Sequence, residues 1–300
     1  MSRQNQGSTK RTNSKLVLSK SIMKSINERR KFDTLLEIFL AEIIGTGLLM
    51  YFGCMASFGS LTEVKPSPPM QNGLMFGFVV TALVSALGHI SKAHLNISVT
   101  LCAYLLGTIS TLTAIVYAVA QCIGATLGFY LLQVTTPGSL FMNYVENNST
   151  CGFCTTTLAK DVSIPQGFLI ELAATSFLIL LVCSVWDPRN ASTSDSVPIK
   201  FGLIISALSI CAGPFTGASL NPARTLGPAI VNNIWDNHWL YWLAPLSGSA
   251  ITTSFYKYVF MRNLDTVTSD ETSSHSRLDS LKERTALNDN SSEEKSVDIA

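Results

Sequence analysis

Six apolar stretches, near residues 35 to 58, 73 to 91, 107 to 133, 166 to 186, 199 to 213 and 236 to 260, occupy most of this 300-residue chain. Each comes close to the ~20 residues that a helix needs to cross a bilayer. In hydrocarbon every backbone N–H and C=O must find its partner inside the protein, so apolar spans of this length fold as helices. Composition agrees, with 47% hydrophobic residues, 14% charged and a formal net charge of +1. No basic footprint for nucleic acid stands out. The chain therefore reads as an all-α membrane protein with six transmembrane helices. Its fifth run is short and is interrupted by Gly213-Pro214, so that helix is expected to borrow residues from Ser196-Val197-Pro198.

Flanking charge orients the spans, because Lys and Arg near helix ends are retained on the cytoplasmic side. Nine basic residues, from Arg3 to Lys31, precede the first run, and Lys257 and Arg262 follow the last. Arg189 and Lys200 flank the fourth loop, while Lys65 and Lys160 fall in the loops assigned outside. Both termini are expected in the cytoplasm, with the protein in the plasma membrane. The first ~30 residues lack the apolar core of a signal peptide, so the first helix serves as the targeting signal. Polar, Ser/Thr-rich ends cannot bury enough surface to fold alone. Ser14 and Ser280 each stand three residues after an Arg, a spacing open to phosphorylation and also common in disordered tails.

Cys54, Cys102, Cys122, Cys183 and Cys211 lie in apolar runs, where a small hydrophobe is the ordinary reading. Cys151 and Cys154 lie in the predicted outer loop, where oxidation is possible and Cys-Gly-Phe-Cys allows a local disulfide. Acceptor sequons for glycosylation overlap in the same loop at Asn147 and Asn148. The four histidines fall in no catalytic or metal-ligand pattern, and no cofactor motif is present.

The halves repeat. Ala41-Glu42-Ile43-Ile44-Gly45-Thr46 answers Ile170-Glu171-Leu172-Ala173-Ala174-Thr175, and each Glu precedes an Asn motif by about fifty residues. The motifs are His94-Leu95-Asn96-Ile97-Ser98 and Ser219-Leu220-Asn221-Pro222-Ala223-Arg224. Three crossings per half make the repeat inverted, a signature of transport with a site at the membrane midplane. The chain divides accordingly into a basic tail (1–32), a first repeat (33–133), an outer connecting loop (134–165), a second repeat (166–260) and a second tail (261–300).

An ionisable Glu inside a span is costly unless polar groups pair with it. Glu42 and Glu171 are therefore expected to hold the non-helical backbone that leads into each motif, with a satisfied helix-end carboxylate as the plainer alternative. Each Asn precedes an apolar stretch too short to span, which fits two re-entrant half-helices. Asn is a strong N-cap, its oxygen accepting from free backbone N–H groups while its amide NH2 faces outward. Two half-helix N-termini meeting in this way repel cations and protons and let neutral solutes pass.

On these residues the chain resembles the aquaporin, or major intrinsic protein, family over residues 33 to 260. The most specific match is Gly217-Ala218-Ser219-Leu220-Asn221-Pro222-Ala223-Arg224-Thr225-Leu226-Gly227-Pro228, joined by Gly88-His89-Ile90-Ser91 and Ala93-His94-Leu95-Asn96. The resemblance implies the hourglass fold, a homotetramer with one pore per subunit, and passive passage of water or small neutral solutes. It places the narrow filter at Phe76, Ser209, Ala218 and Arg224, with His94 as pore support. Water-selective members usually carry His where Ser209 stands. Ser is far smaller, so a carbon backbone fits against the Phe ring while Arg224 offers donors to hydroxyls or a urea carbonyl.

Other positions resemble water channels. Thr225 and Ala229 stand where bacterial-type glycerol channels have Asp and a basic residue, and Tyr241-Trp242 is typical of water channels. A water-channel framework with Ser in the filter resembles the insect glycerol-conducting branch, the entomoglyceroporins. The first motif departs from the family, with Ile97-Ser98 for Pro-Ala and Lys92 for Gly. Pro favours the first helical position, and Ile lacks that advantage. The Ser98 hydroxyl is open to two readings, a lumen group or a bond within its own half-helix. The expected function is a channel for glycerol, urea and water that excludes ions. Alternatives are a water-selective aquaporin, a non-conducting junctional or scaffolding member and, from the repeat alone, a secondary transporter.

Overall fold

The structure, a computed structural model, describes residues 32–58, 69–138 and 153–261. Its elements in chain order are α1 (Phe32–Met55), α2 (Pro69–Ser91), α3 (Ile97–Leu106) and α4 (Thr111–Thr135). Then follow α5 (Ile164–Trp186), a 3₁₀ segment (Pro188–Ser196), α6 (Val197–Thr216), α7 (Pro222–Asn232) and α8 (Leu240–Phe255). The chain divides into two units after Thr253. Of the second unit, residues 254–261 are described, the end of α8 and a π-helical turn at Tyr256–Phe260.

Among the described residues, five helices are long and apolar enough to cross a bilayer, namely α1, α2, α4, α5 and α6 with the 3₁₀ segment before it. The last apolar run supplies α8, whose sixteen residues rise about 24 Å at 1.5 Å each. Between them sit two short helices, α3 with 10 residues and α7 with 11. Each follows an Asn motif. Local sequence sets the starts: the Ser110 hydroxyl accepts from Thr113 N at 3.2 Å to open α4, and Gln166 Oε1 accepts from Ser163 N at 2.9 Å to open α5. Both satisfy backbone donors that a helix start leaves free.

Unlike in a water-soluble bundle, large apolar residues cover the outside as well as the core. Leu36, Leu40, Ile44, Leu48 and Phe52 recur every four residues along α1 and all face outward. Small residues let the helices approach inside. A side chain on Gly128 would run into the Gly47 carbonyl, one on Gly77 into Gly202, and one on Gly227 would stand 2.6 Å from the Ala125 carbonyl. Close contact through small residues is how helices associate where lipid removes the hydrophobic drive. A compact apolar cluster of Met50, Cys54, Phe129, Leu132 and Phe153 fills one end.

The fifth span, α6, starts with the borrowed residues Val197 and Pro198 as expected and corrects the expected interruption. It does not break at Gly213-Pro214 and runs to Thr216. Pro214 costs the Ile210 carbonyl its i+4 donor, but so late in the helix that one turn suffices to finish it. Gly217, at φ 80°, closes the end by donating to the Gly213 carbonyl at 2.9 Å.

Candidate functional site

The chain turns sharply twice, after α2 and after α6, and both turns need left-handed backbone at residues other than glycine. Lys92, Ala93 and Leu95 have φ of 62°, 46° and 50°, and Ala218 and Leu220 have 46° and 54°. Such residues cost about 1–2 kcal/mol each, so something must hold them. In the first turn the holder is Glu42. Its Oε1 accepts from Ser91 Oγ at 2.6 Å and His94 N at 3.0 Å, and its Oε2 from Leu95 N at 2.8 Å and Gln121 Nε2 at 2.8 Å. Glu171 does the same in the second. Its Oε1 accepts from Thr216 Oγ1 at 2.6 Å and Ser219 N at 2.8 Å, and its Oε2 from Leu220 N at 2.9 Å. Both carboxylates are fully buried.

The correspondence extends to residues whose part in the turns no sequence signal marks. Ser91 Oγ also accepts from Ala93 N, and Thr216 Oγ1 from Ala218 N, at 3.1 and 3.2 Å. Tyr117 of α4 donates its hydroxyl to the Ser91 carbonyl at 2.5 Å, and Tyr241 of α8 donates to the Thr216 carbonyl at 3.0 Å. Each turn is thus held by a Glu, a hydroxyl and a Tyr from three different helices.

At the end of each turn an Asn caps a half-helix. Asn96 Oδ1 accepts from Ser98 N at 2.7 Å, and Asn221 Oδ1 from Ala223 N at 3.1 Å. The amides were expected to face outward. Instead each reaches across to the other motif: Asn96 Nδ2 donates to the Leu220 carbonyl at 3.0 Å and Asn221 Nδ2 to the Leu95 carbonyl at 2.7 Å. An amide nitrogen carries two N–H donors, so one remains on each for the adjoining cavity. Ile97 supplies a further link, its N–H donating to Asn221 Oδ1 at 3.3 Å. A proline there has no N–H to give.

A cavity of about 1180 Å³ runs past both Asn residues. At one end it is lined by Ser57, Pro69, Asn72 and Cys154, and at the other by His89, Lys92, Asn190 and Asp195. Phe76, Ser209, Ala218 and Arg224 all line it, as do Asn96, Asn221 and His94. The Arg224 guanidinium lies over the Phe76 ring, 5.3 Å from its centroid. Its Nη1 donates to the Cys154 carbonyl at 2.7 Å, and its Nη2 lies 3.6 Å from the Cys154 sulfur. Phe76 itself rests on Gly53, where a Cβ would stand 2.5 Å from the ring. Toward the other end His94 stacks on Tyr117 at 4.3 Å between centroids, with Trp186 at 5.4 Å. Trp186 also lines the cavity; sequence reasoning missed it, because a Trp closing a span is commonplace.

Other sequence expectations come out differently. Cys154 bonds to Cys54, a hundred residues away, and not to Cys151. A local Cys-Gly-Phe-Cys link would turn the Cys154 sulfur back along its own loop, whereas the fold brings the end of α1 against it. Cys151, Asn147 and Asn148 lie outside the described residues. Ser98 is fully buried, its Oγ has no partner among the described residues, and it is absent from the cavity wall, so neither reading of its hydroxyl holds. Its carbonyl instead accepts from Ser249 Oγ at 2.7 Å. Ile97, Pro222 and Ala223 likewise stand behind the wall. Lys92 is exposed and lines one mouth.

Two inverted halves that each send a capped half-helix to a shared meeting point beside a cavity with polar groups set in a mainly apolar wall define a membrane channel bundle. The major intrinsic protein family model matches residues 29–256. The chain belongs to that family, whose members are channels rather than enzymes. Aquaporin-2 of Bos taurus is 34% identical over 224 residues, covering 73% of this chain and 77% of that one. Aquaporin-4 of Bos taurus is 31% identical over 227 residues, covering 76% and 67%. The X-ray structure of the aquaglyceroporin from Plasmodium falciparum aligns with a TM-score of 0.67 at 25% identity, covering 77% of this chain and 99% of that one. The architecture is the aquaporin hourglass, six spanning helices with two re-entrant half-helices.

Proposed function

We propose that this channel conducts glycerol and urea as well as water, down their gradients, and excludes ions and protons. The observation that carries the reading is Ser209 on the same cavity as Phe76, Ala218 and Arg224. Three small or flat groups leave width for a carbon backbone against the Phe76 ring. Arg224 spends donors on Cys154, and its other guanidinium N–H groups, without a partner among the described residues, are free for a hydroxyl or a urea carbonyl. Farther in, the spare Asn96 and Asn221 donors meet the same oxygens. The N-termini of α3 and α7 face each other there, and their summed dipoles oppose a cation.

In our reading the Cys154 end opens outside the cell, both tails are cytoplasmic and the protein sits in the plasma membrane as a homotetramer. The placement among insect glycerol-conducting channels rests on Ser209 within a framework that keeps Tyr241-Trp242, Thr225 and Ala229. Those framework residues also support a second reading, a water-selective channel. Labelled-glycerol uptake and osmotic swelling in the same oocytes, with surface expression verified, separate the two. Both signals above uninjected controls are expected. Swelling without glycerol uptake supports the water-selective reading, and neither signal supports a scaffolding member.

A further inference from the structure

Among the described residues, the Cys54–Cys154 disulfide is a strong link near the constriction that the filter reading leaves without a role. Residues 153–156 lie as a strip along α7. Asn232 Nδ2 donates to the Phe153 carbonyl at 3.0 Å and to Thr155 Oγ1 at 2.8 Å, and the hydroxyls of Thr156 and Thr225 are 2.8 Å apart. Arg224 completes the attachment through the Cys154 carbonyl at 2.7 Å. The strip therefore travels with α7 and with the filter arginine. The facing wall is built differently: Phe76 comes from α2 and rests on Gly53 of α1. Cys54 is the next residue along α1, and its sulfur is bonded to Cys154. The strip also meets the first repeat through the Phe58–Phe153 stack, 4.0 Å between centroids.

We propose that the Cys54–Cys154 disulfide is a positioning element of the constriction, fixing the span between Phe76 and Arg224 and so the largest solute that passes. One wall belongs to the first repeat and the other to the second, and the bond ties them covalently beside the 5.3 Å contact between guanidinium and ring. Without it the half-helix that carries Arg224 is still joined to the first repeat at Asn221, but the strip beside Phe76 loses its covalent tie and the opening widens at that level. Pore diameter then shifts the cut-off among neutral solutes. The proposal rests on the channel reading and adds a redox dependence to it.

The test uses the full chain in oocytes or proteoliposomes, with permeability to water, urea, glycerol and a four-carbon polyol measured before and after a water-soluble trialkylphosphine. The phosphine is oxidised to its oxide with oxygen from water, and the two hydrogens and two electrons go to the sulfurs as two thiols. Alkylation and mass measurement verify that the bond is open. Reduction is expected to raise the ratio of glycerol or polyol to water permeability by at least about twofold, reversibly on reoxidation. The Cys54→Ala/Cys154→Ala double variant is expected to show the raised ratio without reductant and no response to it. If that variant fails to reach the membrane, reduced wild-type protein gives the answer alone. An unchanged ratio with the bond shown open overturns the proposal, and so does loss of all permeation with the protein still at the surface. If the oxidised chain passes only water, the glycerol reading falls, and entry of urea after reduction still decides for or against the positioning role.

Discussion

Replacing Glu171 by glutamine exchanges one carboxylate oxygen for an NH2 group at nearly constant volume. Thr216 Oγ1 and Ser219 N converge on Oε1 at 2.6 and 2.8 Å, and Leu220 N on Oε2 at 2.9 Å. The least costly amide orientation puts the new NH2 at the Oε2 position, keeps both bonds to Oε1 and sets donor against donor at Leu220. One buried backbone N–H is orphaned, at a cost of about 1–3 kcal/mol. Glu171→Ala orphans two backbone N–H groups, roughly 2–6 kcal/mol at the same unit cost, since the Thr216 hydroxyl can still donate to the Ala212 carbonyl, and Ala218 and Leu220 still need positive φ without the carboxylate. Set against a total stability of about 5–15 kcal/mol, the first variant should fold and the second should not. Size-exclusion profiles of detergent-purified protein after a heating series check this. Glu171→Gln should stay monodisperse with a lowered midpoint, and Glu171→Ala should give no monodisperse peak. Equal midpoints for the two variants would refute the reasoning, because the number of orphaned donors would then not set the cost.

Ser209→His should narrow the filter and lower glycerol uptake by about tenfold or more while water permeability changes less than about twofold; unchanged uptake places Ser209 away from the constriction. Ile97→Pro with Ser98→Ala removes the N–H that Asn221 Oδ1 accepts at 3.3 Å but pre-sets φ at the first helical position, so osmotic swelling per channel should be equal or higher. A sharp loss means that the Ile97 bond is part of the working pore. His238, half-buried in the turn before α8, accepts from Trp242 Nε1 at 3.0 Å through Nε2, and burial lowers its pKa below the ordinary 6.5. Protonation favours the unfolded chain, so its contribution to stability is complete above pH 6.5 and is lost as pH falls through the lower folded value. Thermal midpoints should drop on acidification and His238→Gln should flatten that drop; an equal slope in the variant would remove His238 as the cause.

Glu42, Glu171 and the two Asn residues were legible because an expensive residue and its spacing recur in both halves, and chance does not place a carboxylate in a span twice. Ser91, Thr216, Tyr117 and Tyr241 carry the same turns, and that role was not legible even though Ser91 and Tyr241 fall in stretches that resemble the family. Each is ordinary helix composition, and its role exists only where three helices meet. The disulfide was misplaced for a related reason: Cys151 is near Cys154 in sequence, whereas Cys54 is near it only in the folded bundle. The Ile97 N–H escaped because sequence comparison sees a missing proline ring and not a gained donor. Pro214 misled in the opposite direction, since its breaking tendency is spent in the last turn of a helix that was ending anyway.

The crossed amides bear on the order of events at the ribosome. Asn96 donates to the Leu220 carbonyl and Asn221 to the Leu95 carbonyl, so these two bonds of the first half-helix cannot form until the chain beyond Leu220 has been made. A nascent chain halted after α5 must keep α3 in a provisional place, with its capping amide and the Leu95 carbonyl turned to water or to the insertion machinery. Closure of the meeting point is therefore a late event, and chains truncated before Leu220 should leave the Asn96 amide more open to chemical labelling than the full chain does.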